Sequence, residues 1–477
     1  MDFKVNCDVA VIGGGIAGVA AAVQAARSGK KTILVEKTIL LGGLATSGLV
    51  YIYLPLCDGF GHQVTFGLGE ELLRASIKYG PGRIPASWRG EKNAEEGKRF
   101  RTVFSPAAFM LALDETVRDA GVDVWFDTRV CDAVVENGRV AAAVVENESG
   151  RGEIRAKQFI DASGSCILAR RAGTPCLSEG NFYSFWALEY RKGANAVQET
   201  DNLTESVVMH FDGAWADGSS AVSDENLAKC GFTRETLKTK LVREPSGKDV
   251  SDYVLATRHF LLEYYKDLYA SGKYDRNSCY ALKLPVMPQF RKIACIEGAY
   301  VLKDNEHATH FDDSIGLLAD WRKSGYVWEI PYRTLFPANG LGGLLAAGRC
   351  SSASGDAWEV TRVIPSAAMT GHRLPVLPLR LRSTQAKNPA KFPFQVCRMS
   401  CGNLVLQFTL RISDCKNPAE RRGAADAFRR RRLSHFSRGT SSVSFPEPMI
   451  YSGFEVKSAY ETAPPPTSSR AFFPVAS

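Results

Sequence analysis

A glycine-rich segment near the start of the chain has the residue types that bind a dinucleotide. The segment is Gly13-Gly14-Gly15-Ile16-Ala17-Gly18, and the acid Glu36 stands 18 residues after its last glycine. Glycines let the backbone turn sharply and approach a diphosphate, whose charge the free N–H groups of a helix N-terminus can bind. An acid about 20 residues further on can accept hydrogen bonds from ribose hydroxyls. The spacing therefore predicts dinucleotide binding.

The segments on either side of these glycines predict the elements that would position them. Residues 7–12 are a short apolar run typical of a buried strand, and the alanine-rich stretch after the glycines favours a helix that stops at Gly29. Residues 32–35 predict a second strand with Glu36 at its end. The carboxylate of Glu36 would repel a ribose 2′-phosphate, which disfavours NADP and leaves NAD and FAD open.

Four further segments continue the pattern along the chain. Residues 41–48 form a small-residue loop, Leu-Gly-Gly-Leu-Ala-Thr-Ser-Gly, after the second strand. Residues 128–160 predict a three-stranded meander with a tight hairpin at Asn137-Gly138. Residues 161–164 have the sequence Asp-Ala-Ser-Gly, and residues 344–365 contain an apolar strand that ends in Gly-Arg and leads to a helix near Pro365.

Together these segments resemble the FAD-dependent oxidoreductases of the two-dinucleotide-binding-domain type, which are related to fumarate-reductase flavoproteins. The resemblance covers residues 5–371 and implies FAD as the cofactor, although Ser165-Cys166 stands where relatives often have acidic residues. The implied fold class is α/β, with a Rossmann-like FAD-binding domain, a three-stranded β-meander as its cover and an inserted substrate-capping domain. The implied FAD-binding residues are Gly13, Gly14, Gly15, Ile16, Ala17, Gly18, Glu36, Lys37, Gly42, Gly43, Leu44, Ala45, Val130, Ala162, Ser163, Gly164, Gly348, Arg349 and Asp356.

The resemblance also implies how the chain is divided. We expect a discontinuous FAD-binding domain and two insertions into it. The expected divisions are 1–48, 101–175 and 331–371 for the FAD-binding domain, 49–100 for an insertion near the flavin, 176–330 for the substrate cap, and 372–477 for a basic tail rich in proline, arginine and serine.

Three side chains are candidates for catalysis. Arg362 is the strongest candidate, because the family motif that it resembles lies beside the pyrimidine edge of the flavin. The same resemblance implies that Asp356 hydrogen-bonds the ribityl chain. Arg291 matches a segment near the substrate side and could bind a carboxylate or relay a proton, although a surface ion pair would explain it equally well. His62 follows the small-residue loop and could reach a substrate, although a structural role is the alternative. No metal site is expected.

The expected activity is hydride or electron transfer between flavin N5 and a small-molecule substrate. No second glycine-rich strand–turn–helix is evident, so electrons would come from the organic substrate, an electron-transfer partner or transient NAD(P)H. Two alternatives remain open: an inactivated FAD-binding remnant, and a tRNA-modifying or carrier-type flavoprotein. The second would need a basic face on the body of the protein.

The positive charge of the chain is concentrated in its last 106 residues. The net charge is +8, but residues 372–477 hold 17 of the 59 basic and 6 of the 51 acidic residues, and 11 of the 22 prolines. The preceding residues therefore carry a net charge of −3, so no nucleic-acid partner is expected. The alternative for residues 421–432 is an arginine-rich arm that binds a nucleic acid or an anionic surface.

The tail departs from the family at His372. Where relatives continue an alanine- and glycine-rich helix, Pro375 and Pro378 would interrupt it. Suppose that the residues from Arg373 onward use codons of the type CGG, CTG, CCG and GTG. Translation that starts at the third base of the Arg373 codon would then give Ala-Ala-Gly-Ala-Ala-Ala-Ala. We therefore hypothesise a shift of reading frame near His372, which predicts a disordered tail and weaker retention of FAD. Sequencing of the locus tests this.

The cysteines and the N-terminus bear on location. Twelve cysteines are scattered without the two-residue spacing of a zinc or dithiol motif, which favours a reducing compartment. The N-terminal residues lack a signal-peptide pattern, and no apolar run is long enough to span a bilayer. We expect a cytoplasmic protein without membrane contact.

Overall fold

The structure is a computed structural model that describes residues 1–83, 102–194, 204, 206–213 and 220–373. The predictions for residues 374–477, and for residues 84–100 of the insertion, lie outside the described residues. In the part of the chain that the structure describes, no helix has the length and apolar character needed to cross a membrane. The nine cysteines within that part are all free thiols.

Strands form wherever short apolar runs are bounded by turn residues. The strands among the described residues are Phe3–Ile12 (β1), Thr32–Val35 (β2), Ile52–Tyr53 (β3), Thr102–Val103 (β4), Asp123–Trp125 (β5), Arg129–Glu136 (β6), Arg139–Asn147 (β7), Gly150–Asp161 (β8), Cys176–Leu177 (β9), Asn181–Phe182 (β10), Ser184–Arg191 (β11), Val207–Gly213 (β12), Leu241–Val242 (β13), Cys279–Lys283 (β14), Cys295–Ile296 (β15), Ser314–Ala319 (β16), Val327–Pro331 (β17) and Leu344–Ala346 (β18).

Helices occupy several of the longer connections between these strands. The α-helices of the described residues are Ile16–Arg27 (α1), Leu68–Ser76 (α2), Pro106–Asp119 (α3), Ile167–Arg171 (α4), Asp224–Lys229 (α5), Arg234–Thr239 (α6), Gly247–Ala270 (α7), Gly355–Thr361 (α8) and Ile364–Arg373 (α9). Three 3-10 turns accompany them at Gly43–Ala45, Tyr332–Leu335 and Gly348–Cys350.

A seven-stranded sheet forms the centre of the fold and confirms the predicted α/β class. Its order is β5-β2-β1-β8-β7-β6, and β18 also pairs with β8. The strands β5, β2, β1, β8 and β18 run parallel, whereas β6, β7 and β8 form the predicted antiparallel meander. The meander was expected as a cover on this fold. It instead continues the sheet, because the 12-residue β8 pairs with β7 at its start and with β18 at its end.

Helix α1 packs closely on its neighbours because its residues are small. Nine of its 12 residues are buried, and most of these are alanine or glycine. Helix α9, which begins at Ile364 as predicted near Pro365, lies against α1. A Cβ atom on Gly371 of α9 would lie 2.1 Å from the carbonyl oxygen of Ala17, so the two backbones can approach only through a glycine.

Gly18 is required for the turn between β1 and α1. A Cβ atom at this position would lie 1.8 Å from the carbonyl oxygen of Gly13, and neither backbone has room to move. We expect Gly18→Ala to lower the free energy of unfolding by about 2 kcal/mol through this overpacking. Urea denaturation of the variant beside the wild type would measure the difference, and equal stability would contradict the close approach.

A second, smaller sheet lies within residues 176–330, the predicted cap. Strand β11 is its central strand and pairs antiparallel with β12 and β14. The 24-residue α7 begins at a capping box formed by Ser246 and Asp249. Its Tyr253 and Phe260 belong to the same apolar cluster as Phe185 of β11. The assignment of these residues to a substrate cap stays a prediction.

Candidate functional site

The turn after β1 is held by both neighbouring strands. The N–H of Gly13 donates to Val35 at the end of β2 (2.7 Å), and a Cβ atom on Gly13 would meet Ser163 Cα at 2.6 Å. Gly13 has φ +100°, a conformation that favours glycine. Because the carboxyl ends of parallel strands meet at one edge of a sheet, the turns after β1, β2 and β8 converge there.

Glu36 fixes the glycine turn from the end of β2. Its carboxylate accepts hydrogen bonds from the N–H of Gly14 (2.7 Å) and from the N–H and hydroxyl of Thr38 (2.9 and 2.8 Å). The side chain is buried. A buried carboxylate at this point gives the site one fixed acceptor next to the glycines.

The N-terminus of α1 opens into this edge of the sheet. Gly15 is its N-cap residue and provides no side-chain cap, and a Cβ atom on Gly15 would have no neighbour within 4 Å. The first N–H groups of a helix have no partner within the helix, and the helix dipole adds positive charge. This end of α1 is therefore suited to an anion such as a diphosphate.

The small-residue loop packs directly on the glycine turn. The N–H of Gly42 donates to Gly14 (2.8 Å), and a Cβ atom on Gly43 would lie 3.1 Å from Gly15 Cα. Further along, the Ser47 hydroxyl is buried and has no hydrogen-bond partner within the described residues. A buried hydroxyl without a partner is costly, so Ser47 is ready to bond a ligand.

The predicted Asp-Ala-Ser-Gly segment forms the third side. Asp161 accepts hydrogen bonds from the N–H and hydroxyl of Ser163 (3.1 and 2.6 Å) and from the N–H of Ala169 in α4 (3.0 Å). These bonds tie the end of β8 to the start of the following helix. Ala162, Ser163 and Gly164 then face the cleft that the three turns enclose.

The cleft has a volume of about 770 Å³, including the part that opens to solvent. Its lining residues are Gly13, Gly15, Ile16, Ala17, Glu36, Lys37, Thr38, Leu40, Gly42, Gly43, Leu44, Ala45, Ser47, Ala162, Ser163, Gly164, Met287, Gly348, Arg349, Arg362, Ile364 and Ala367.

Three arginines, Arg291, Arg349 and Arg362, lie near one another and form what we call the arginine cluster, of which Arg349 and Arg362 line the cleft. Arg349 donates to the carbonyl oxygen of Phe290 (2.6 Å), and Arg362 is ion-paired with Glu359. Within the described residues, neither Arg291 nor Arg349 has a carboxylate at ion-pair distance.

Burial and mutual repulsion make this cluster electrostatically unusual. Burial, with the nearby Arg362, lowers the pKa of Arg291 to about 9, and the same two causes lower the pKa of Arg349. Burial also lowers the pKa of Lys37, which lines the cleft. Partly desolvated positive charges without a counter-charge, such as those of Arg291 and Arg349, are costly, so a bound anion or electron-rich ring would stabilise the arginine cluster.

The family model described as "FAD dependent oxidoreductase" matches residues 8–376. The chain belongs to this family. The match begins within β1 and includes β2, β8, β18, the glycine turn after β1 and the small-residue loop at residues 41–48. FAD is therefore the cofactor of this flavoprotein. The resemblance found in the sequence is thus confirmed.

Curated relatives match over shorter segments. The digeranylgeranylglycerophospholipid reductase of Thermoplasma volcanium is 30% identical over 190 residues, which are 39% of this chain and 46% of that protein. The reductase of the same name from Methanoculleus marisnigri is 32% identical over 183 residues, which are 36% of this chain and 42% of that protein. The chain thus covers less than half the length of the curated relatives it matches.

Two solved structures illustrate the more distant likenesses. A geranylgeranyl bacteriochlorophyll reductase-like protein from Thermoplasma acidophilum has 16% sequence identity and a TM-score of 0.43, covering 89% of this chain and 91% of that one. A 3-ketosteroid dehydrogenase from Rhodococcus jostii has 15% identity and a TM-score of 0.33, covering 78% of this chain and 96% of that one.

The cleft of this flavoprotein fits FAD on its own geometry. The space in front of Gly15 is open. Among the described residues, the Ser47 hydroxyl has no partner and two half-buried arginines, Arg291 and Arg349, have no counter-charge. We expect the glycine turn to hold the diphosphate and Glu36 to hold the ribose. We expect the small-residue loop and the arginine cluster to hold the flavin. In the described segments, no group of three or more His, Cys, Asp or Glu residues could bind a metal ion.

Two predicted site residues lie outside this cleft. Asp356 is ion-paired with Arg322 (2.9 Å) and Lys323 (3.0 Å), both of which lower the pKa of Asp356. The predicted contact of Asp356 with the ribityl chain stays a prediction. His62 is paired with Asp58 (2.9 Å) and does not line the cleft, and its catalytic role also stays a prediction.

Four other predicted residues do not line the cleft. Gly14 and Gly18 shape the turn after β1, as described above. Val130 is buried in β6, where it pairs with Val145 of β7. Arg291 also does not line the cleft, and it reaches the site through its neighbours in the arginine cluster.

The structure adds lining residues that the sequence did not single out. Thr38, Leu40 and Ser47 lie close in sequence to predicted residues, so proximity to a motif could have indicated them. Met287 comes from a distant segment with no glycine pattern. Ile364 and Ala367 lie on α9, where the helical spacing of three residues places them on the same face.

Removing the Glu36 carboxylate should weaken FAD binding. Glu36→Ala would leave the N–H of Gly14 without its acceptor and remove the expected ribose contact. We expect the dissociation constant for FAD to rise about 100-fold, since hydrogen bonds to charged groups contribute roughly 1.5–3 kcal/mol each. Fluorescence titration of FAD into the apoprotein measures this, and an unchanged constant would contradict the assignment.

Proposed function

We propose that this protein is an enzyme that transfers hydride or electrons between FAD and a small organic substrate. Bound FAD would supply hydride or electron transfer at its N5 atom. The chain itself would bind and orient the cofactor, exclude water and hold positive charge where negative charge develops. The reductase names of the curated relatives support the reductive direction.

The arginine cluster is the observation that carries this proposal. Arg349 and Arg362 line the cleft, and Ile364, the first residue of α9, lines it beside them. The positive end of the α9 dipole therefore adds to the charge of the arginines. A site with this much desolvated positive charge favours the electron-rich form of a ring system placed against it.

The substrate would enter from the side of residues 176–330, which we propose as the cap. Met287 of that segment lines the cleft, so the cap contributes directly to the site. The sequence shows no second glycine-rich motif, and we therefore propose that electrons arrive from the organic substrate, from a protein partner or from transiently bound NAD(P)H.

Anaerobic reduction of the bound FAD tests the proposal. The FAD-loaded protein would be mixed, without oxygen, with a panel of small organic donors and with NAD(P)H. It would then be reduced chemically and mixed with candidate acceptors. We expect at least one member of the panel to bleach or restore the absorbance of the oxidised flavin within catalytic turnover times.

The same experiment can overturn the proposal. Full FAD occupancy and normal reduction by dithionite, without exchange of electrons with any member of the panel, would indicate an FAD-binding remnant. Such a result would leave the cofactor assignment standing.

A further inference from the structure

A second cavity, about 670 Å³ with the part that opens to solvent included, lies between helix α7 and the segment 284–289. Its wall includes Phe185 and Leu261 on one side and Pro285, Val286, Met287 and Pro288 on the other. The enclosed part of the cavity, about 220 Å³, and its apolar wall suit a short apolar chain.

The polar side chains of the wall are already bonded within the protein. The Tyr253 hydroxyl donates to the carbonyl oxygen of Ser184, and the Thr257 hydroxyl donates to that of Tyr253 (2.9 Å). Gln289 accepts from the N–H of Trp186 (2.7 Å). These groups therefore present little unmet hydrogen-bonding capacity to an occupant, which favours an apolar one.

Arg258 is the one charged side chain of this wall. It is exposed at the edge of the cavity on α7. Its guanidinium has no hydrogen bond or ion pair with any described residue. A lone arginine beside an apolar wall matches a molecule with an apolar body and a terminal carboxylate or phosphate.

The cavity is joined to the flavin cleft. Met287 lines both the cavity and the cleft. The N–H of Val286 donates to the carbonyl oxygen of Ser47 in the small-residue loop (2.9 Å). Gln289 donates to the carbonyl oxygen of Gly48 in the same loop. The wall of the cavity is thus anchored on the loop that lines the cofactor site.

We propose that this cavity binds the apolar body of the organic substrate, with its anionic group on Arg258 and its reacting end directed past Met287 to the flavin. The assignment of the occupant as the substrate rests on the proposed function. The class of substrate is an apolar amphiphile with one terminal anionic group.

Calorimetric titration of the FAD-loaded protein with octanoate, octyl phosphate and octanol tests the site. We expect both anions to bind, and Arg258→Ala to weaken both about tenfold while leaving octanol unchanged. The tighter of the two anions identifies the carboxylate or phosphate source. Lys248→Ala, which removes a charge from α7 outside the cavity, is the matched control and should change nothing.

Two variants narrow the cavity itself. Val286→Trp and Thr257→Phe fill it from opposite walls, and each should weaken binding of both anions at least about tenfold. The control is Leu255→Trp on α7. Leu255 is 65% exposed, similar to the 54% exposure of Val286, and it does not line the cavity. FAD content and melting temperature show that each variant is folded.

The outcomes separate this proposal from the proposed function. Failure of both anions to bind, or wild-type binding by both narrowed variants, overturns the cavity assignment even if the flavin exchanges electrons with an organic substrate. Binding that depends on Arg258 and on cavity volume supports the site. If no substrate of any class then exchanges electrons with the flavin, the proposed function fails and the binding site stands.

Discussion

Replacing Gly15 by aspartate is expected to abolish FAD binding while leaving the fold intact. A Cβ atom at Gly15 meets no atom within 4 Å, and its φ of −66° is accessible to any residue. Aspartate is also a preferred N-cap residue, so the variant should be at least as stable as the wild-type apoprotein. Its carboxylate would occupy the space in front of α1 and repel the diphosphate. We expect the dissociation constant for FAD to rise by about 1,000-fold or more.

Gly247→Asp is the matched control for this variant. Gly247 also has open space around its Cβ position, and it also lies at a helix start, that of α7, outside the cleft. It should retain wild-type FAD content. Normal FAD binding by Gly15→Asp would show that the cofactor does not approach α1, and unfolding of the variant would contradict the open geometry at Gly15.

Replacing Arg362 by methionine should retain FAD but make its reduction harder. The substitution removes a positive charge from the cleft, while Glu359 keeps its ion pair with Lys292 (3.0 Å). We expect the two-electron reduction potential of bound FAD to fall by about 30–60 mV, which corresponds to roughly 1.4–2.8 kcal/mol. Spectroelectrochemical titration of the FAD-loaded variant measures this potential and needs no substrate. Once a substrate is identified, the variant's kcat/KM for it should be about 100-fold lower than that of the wild type.

Arg322→Met provides the comparison, since Arg322 pairs with Asp320 and Asp356 and does not line the cleft. It should leave the reduction potential unchanged. Arg362→Lys should restore part of the loss, because it keeps the charge without the planar guanidinium. An unchanged potential in Arg362→Met would remove Arg362 from the flavin site.

The elements that hold the cofactor could be predicted because their requirements are local. A turn such as that at Gly13 needs a positive φ, and close approach at Gly18 needs the absence of a Cβ atom, so glycine at these positions carries structural information. The predicted second strand, residues 32–35, matches β2, and the predicted hairpin at Asn137-Gly138 joins β6 to β7.

The partners of individual side chains could not be predicted in the same way. Asp356 lies within a recognisable motif, but Arg322 reaches it from the turn between β16 and β17, more than thirty residues earlier. No pattern near Asp356 indicates that contact. For His62, the sequence did indicate the ion-pair partner, because Asp58 lies only four residues before it.

The second cavity also depends on tertiary packing alone. Helix α7 and segment 284–289 are separated in sequence by β14, and nothing in either indicates that they enclose a space. The arginine cluster is an intermediate case. Each of its members belongs to a segment noticed in the sequence. Their proximity appears only in the structure, as does the lack of a described carboxylate at ion-pair distance from Arg291 and Arg349.

The FAD content of the purified protein tests the central claim most directly. The full chain would be equilibrated with excess FAD by dialysis, and its bound flavin and protein concentrations measured beside Gly15→Asp and Gly247→Asp. The structure predicts about one FAD per chain in the wild type and in Gly247→Asp, and almost none in Gly15→Asp. Absence of flavin from the folded wild-type protein, or equal flavin in all three, would contradict the assignment of this cleft to FAD.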